Sequence, residues 1–66
     1  MIPTKITYKE KVFHFNEKLG QLKEKRTGKI TKLSYIDCDS LAFWLKKKNI
    51  SMVEISMADI FGDEHD

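Results

Sequence analysis

The chain has one cysteine, one proline and no long apolar run, and each scarcity closes off a class of protein. A lone thiol, Cys38, excludes an internal disulfide and suits a reducing cytosol. With one cysteine and two histidines, no four ligands stand at zinc spacing. No stretch approaches the ~20 apolar residues of a membrane span, and no charged n-region followed by an apolar core marks a signal peptide. A soluble cytoplasmic protein with no membrane partner is therefore expected. Sixty-six residues allow one domain, and a domain of this size buries only about 60% of the surface its unfolded chain exposes. Small scaffolds lean on staples, metals or oligomerisation. With the first two missing from the pattern, a compact core, self-association or folding on a partner is left.

The net charge of +2 hides an asymmetry. Residues 1–32 hold eight lysines and one arginine against three glutamates, whereas residues 33–66 hold three lysines against seven acids. The two halves thus carry about +6 and −4, a hint about partners rather than about fold.

The clearest stretch, Lys29 to Met57, reads as strand, helix, strand. Lys29 to Ile36 alternates in a β-branched and aromatic context, as a half-buried strand does. Asp37-Cys38-Asp39-Ser40 breaks it, and Asp39 and Ser40 are both good N-caps for a helix over Leu41 to Lys48. Lys46, Lys47 and Lys48 then oppose the negative pole of the helix dipole, with Asn49 as a left-handed C-cap. Ile50 to Met57 follows as a second strand, with Val53, Ile55 and Met57 on one face.

Thr7 to Arg26 supports two readings. Thr7-Tyr8-Lys9-Glu10 matches a capping box. Tyr8, Val12, Phe15, Leu19 and Leu22 then fall within about 80° of arc on a helix, which leaves Phe13 off the stripe. Gly28 stands where a helix C-terminus favours glycine, although Gly20 inside the segment costs about 1 kcal/mol relative to alanine. The competing reading takes Lys11 to Phe15 as a strand and Arg26-Thr27-Gly28-Lys29 as a hairpin turn, but alternation is lost from Asn16 onward. The helix is the favoured expectation.

Met1 to Ile6 is extended in character, and Pro3 confines any strand there to a sheet edge. Beyond the second strand, Ser56 is positioned to cap a short turn of helix over Ala58 to Phe61. The expectation is therefore an α+β domain over residues 1–61, followed by a flexible acidic tail at 62–66. Its sheet has two or three strands, two helices pack on one face, and a central β-α-β unit occupies 29–57. So narrow a sheet keeps open edges that invite strand addition.

Few residues carry chemistry. Tyr35-Ile36-Asp37-Cys38-Asp39-Ser40 resembles the strand-borne Asp-x-Asp-Ser stretch in which family B DNA polymerases hold magnesium. The resemblance covers six residues, and 66 cannot supply a palm and fingers; a strand end plus helix cap explains the same residues. Cys38 between two carboxylates is a poor nucleophile, since negative charge disfavours the thiolate. His14 lies in the aromatic run Phe13-His14-Phe15 and His65 in the acidic tail, neither with a ligand constellation. Gly28-Lys29 is not a phosphate-binding loop, because the first glycine is missing. No enzymatic activity and no cofactor are expected.

Two functions are open. The first is a small protein-interaction module (an inhibitor, adaptor or regulatory subunit), working as a homo-oligomer or on a larger protein. It rests on the surplus of Met and aromatic residues in the C-terminal half, with Met52, Met57, Ile60 and Phe61 as interface. The alternative is nucleic-acid binding through the basic half. Lys18, Lys23, Lys25, Arg26, Lys29 and Lys32 cluster around one segment and its turn, and Lys46, Lys47 and Lys48 form a second group. No helix-turn-helix, zinc finger or RNP motif accompanies them.

Overall fold

The computed structural model describes residues 4–62, and Met1 to Pro3 and residues 63–66 with His65 lie outside it. In chain order come β1 (Lys5–Tyr8), β2 (Lys11–Asn16), β3 (Gln21–Glu24), β4 (Ile30–Lys32), α1 (Tyr35–Lys46) and α2 (Ile50–Phe61). The strands form one antiparallel sheet in the order β1-β2-β3-β4. The α+β class is as expected, but among the described residues the sheet has four strands and no parallel β-α-β unit.

The favoured helix over Thr7 to Arg26 is instead three strands and two turns. Tyr8 pairs with Lys11 across Lys9 and Glu10, whose φ angles are 49° and 65°. Positive φ at both central residues is a type I′ turn, whose twist matches that of the flanking strands. Asn16 closes the next turn: its Oδ1 accepts from the Leu19 amide at 3.0 Å. Gly20 leaves that turn at φ 63°, so a glycine that would weaken a helix supplies a left-handed bend. In the third turn the Gly28 amide donates to the Glu24 carbonyl and the Glu24 amide to the Lys29 carbonyl, both at 2.8 Å. The competing strand reading had the right turn here. Alternation stops at Asn16 because the strand ends there.

The apparent helical stripe was a coincidence of spacing. Leu19 is 64% exposed in a turn, whereas Phe13, the residue off the stripe, is 5% exposed in the core. Ile6 pairs with Phe13, and Phe15 with Leu22. These four share the inner face, as period-two alternation requires.

Both helices cover that face. Leu41, Ala42 and Leu45 of α1 and Val53 and Met57 of α2 join Ile6, Phe13, Phe15 and Leu22 in one core. Each large side chain fully buried there contributes roughly 1.5–3 kcal/mol. Ser34 caps α1, its Oγ accepting from the Asp37 amide at 3.1 Å, so Asp39 and Ser40 lie inside the first two turns rather than at the cap. After Lys46 the chain closes with the Lys48 amide on the Leu45 carbonyl and the Asn49 amide on the Trp44 carbonyl, both 3.1 Å. That double bond pattern is a Schellman motif, with Lys48 at φ 57° in the left-handed position. Asn49 therefore does not end α1. It begins α2, its Oδ1 accepting from the Met52 amide at 3.1 Å.

The expected strand over Ile50 to Met57 is the first two thirds of α2, and Ala58 to Phe61 is its last turn. Val53, Ser56 and Met57 are the buried positions, at helical spacing, while Ile55 is 54% exposed. The Val53-Ile55-Met57 alternation was thus accidental. Phe61 fastens the end of α2 to the sheet, its ring centroid 5.2 Å from Phe13 and 6.4 Å from Tyr8.

Candidate nucleic-acid interface on the open face of the sheet

With the helices on one face, the other face of the sheet is bare. Lys5, Lys23 and Lys32 project from it, on β1, β3 and β4, with His14 on β2. Thr7, Asn16 and Gln21 supply uncharged polar groups, and Val12 and Ile30 the apolar ones. None of these nine positions is buried, and none bears a carboxylate.

The basic side chains are ordered. Lys5 pairs with His14, and His14 with Lys23, so one row of basic side chains crosses three strands. Strands stand ~4.8 Å apart, which places Lys5 and Lys23 ~10 Å from each other. Lys25 extends the basic surface, its amide donating to the Val12 carbonyl at 2.8 Å. Arg26 and Lys29 are exposed in the adjoining turn. Successive turns of a meander alternate between ends, so the turn of Lys9 and Glu10 lies at that same end. Lys9, Lys11 and Lys29 line one cleft there, beside Tyr8, Phe61 and Glu24.

The seven cations expected to bind nucleic acid are thus divided. Lys23 is on the open face, and Lys25, Arg26 and Lys29 continue it around one end. Lys46, Lys47 and Lys48 are at the corner between the helices, where Lys48 lines a cleft with Lys5 and the Lys47 ammonium lies 5.5 Å from the Phe43 ring centre. Lys5 and His14 were missed. The available signal was the Phe13-His14-Phe15 alternation, which turns His14 outward when both phenylalanines turn in.

The residues expected at a protein interface are placed differently. Met57 is fully buried in the core, and Ile60 and Phe61 pack against it. Met52 is half-buried. Among the described residues the most exposed large apolar ones are Tyr35, Ile36 and Ile50.

Asp37 and Asp39 lie in the first turns of α1, so the polymerase-like stretch is helical here and not carried on a strand. Among the described residues no three His, Cys, Asp or Glu side chains form a metal-binding group. Cys38 donates from its Sγ to the Glu17 carbonyl at 3.6 Å. Burial first, then the charges of Asp39 and Glu17, push its thiol up from the ordinary value. Its thiolate is correspondingly scarce.

No family model matches this chain, and no curated protein or solved structure is significantly similar to it. Among the described residues no helix is long and apolar enough to cross a membrane.

Proposed function

We propose that the protein binds nucleic acid with the open face of its sheet. The observation that carries this reading is a sheet face of nine positions, none of them buried, with three lysines, a histidine and no carboxylate. Phosphates are recognised by such surfaces with an affinity that falls as salt rises, because each neutralised phosphate releases counterions. Thr7, Asn16 and Gln21 lie among the cations, where amide and hydroxyl groups can meet phosphate, sugar or base edges. The site contains no nucleophile–base pair, so binding without catalysis is the function proposed. The full burial of Met57 weighs against the rival module built on Met52, Met57, Ile60 and Phe61.

Fluorescence anisotropy with labelled single-stranded and duplex oligonucleotides tests it. Four phosphate contacts (Lys5, Lys23, Lys25 and Lys32) predict a log–log salt slope of about −3.6 on duplex, so raising salt from 50 to 200 mM lowers affinity about 100-fold. Lys23→Ala flattens the slope by about one. Absence of binding at 50 mM salt, or a salt slope that Lys23→Ala and Lys32→Ala both leave unchanged, overturns the reading.

A further inference from the structure

The outer edge of β1 leads to an inference independent of what the open face binds. β1 ends the sheet on one side. The Phe15 amide donates to the Thr4 carbonyl at 2.6 Å, which marks Thr4 and Phe15 as a hydrogen-bonded pair. Bonded and non-bonded pairs alternate along an antiparallel ladder. The backbone groups of Ile6 and Tyr8 therefore turn toward β2, and those of Lys5 and Thr7 turn outward.

We propose that this edge pairs with the same strand of a second copy, antiparallel, about a two-fold axis at Ile6. In that register Lys5 lies opposite the partner's Thr7, and Thr7 opposite the partner's Lys5. Both are positions whose amides and carbonyls point outward, so the two outward amides and two outward carbonyls of each copy all find partners. Ile6 stands opposite the partner's Ile6 at the non-bonded position between them; its side chain is already buried in its own core, so the pairing rests on the backbone groups on either side. No lysine faces a lysine.

The surface beside the edge suits the same occupant. Between β1 and α2 runs a cleft of about 330 Å³ whose floor is the already buried Ile6, Leu45, Val53 and Met57. Ile50, 72% exposed, stands at it too. Its charged groups are Lys5, Lys48 and Glu54. An inverted copy brings the same rim of both signs, so unlike charges can meet, and a second exposed Ile50 to cover. The opposite edge, β4, is three residues long. Pairing β1 with it would be head-to-tail, which runs on into a ring or an open chain of subunits, whereas β1 with β1 closes at two. The closed pair keeps all four helices on one side and joins the two basic faces into one surface.

Sedimentation equilibrium and amide hydrogen exchange on the full chain test the pairing, from about 10 μM to about 1 mM, since mass action governs a dimer. The average mass is expected to rise from 7.8 kDa toward twice that value. The Lys5 and Thr7 amides gain protection in parallel. Thr7→Pro removes an outward donor, and an edge strand tolerates proline where its N–H faced solvent. This variant keeps its circular dichroism and stays monomeric. Ile50→Glu, at an exposed site, serves as a second variant with the same expected loss. A 7.8 kDa mass at every concentration overturns the proposal. So does a dimer whose Lys5 and Thr7 amides exchange freely, or protection that appears only when an unrelated peptide is added.

Discussion

The turn between β1 and β2 offers a sharp test of the backbone. Lys9 and Glu10 hold φ of 49° and 65°, a region where residues other than glycine, asparagine and aspartate are strained. The strain is of order 1–2 kcal/mol per residue. Glycine at Glu10 relieves it but adds freedom to the unfolded chain worth roughly 0.5–1 kcal/mol. The balance for Lys9→Asn with Glu10→Gly is a gain of about 1 kcal/mol, since Asn-Gly is the preferred pair in a type I′ turn. A domain of this size responds to 1 kcal/mol with a shift in Tm of about 4–8 °C. Thermal melts followed by far-ultraviolet circular dichroism measure it, with Lys18→Gly as a control. Lys18 is in an exposed turn without positive φ, so its replacement lowers Tm by the entropy term alone. If the Asn-Gly variant melts no higher than the parent, or falls together with the Lys18 control, the left-handed turn is wrong. The pairing of Tyr8 with Lys11 would then be wrong with it.

Two further outcomes follow from local chemistry. Ser34→Ala loses about 1 kcal/mol by denaturant unfolding and Ser40→Ala much less, because only the first removes the cap on the Asp37 amide. Equal losses would place the start of α1 elsewhere. For Cys38 the raised thiol pKa means that the fold favours the protonated form. The stability this contributes is whole below the ordinary thiol value of about 8.5 and is lost as pH rises through the folded value. Denaturant midpoints therefore fall on the alkaline side in the parent and less in Cys38→Ala, and parallel pH profiles would refute the assignment.

Counting strand-like and helix-like segments indicated the α+β class, but the elements themselves were harder to place, for reasons visible in single residues. In Thr7 to Leu22, turn residues happened to extend a helical period. Leu19 completed a stripe that Phe13 contradicted, and Phe13 was the better witness. The absence of Asn-Gly at Lys9-Glu10 removed the usual hairpin signal. Around α1 the expected caps, Asp39 and Ser40, stood too far along the chain. The cap is Ser34, whose Oγ accepts from the Asp37 amide, and it went unread because Lys29 to Ile36 was taken as one strand, which put Ser34 inside a strand instead of before a helix. In α2, three apolar residues at alternate positions imitated a strand, although Asn49 followed by Val53, Ser56 and Met57 already fitted a capped helix. The basic half was legible as charge. Its arrangement was not, because the row of Lys5, His14 and Lys23 exists only through strand register.

Because the sheet runs β1-β2-β3-β4, every strand finds its neighbour within a short stretch of chain, and the two helices likewise form a hairpin. Closing short loops costs little entropy, and chains dominated by such contacts cross their folding barrier quickly. Refolding from denaturant should be over within milliseconds, as is typical for small mixed α/β domains of modest contact order. Each hairpin can also zip as it leaves the ribosome, at about 5–20 residues per second. The strands would then be paired before α2 arrives to seal the core.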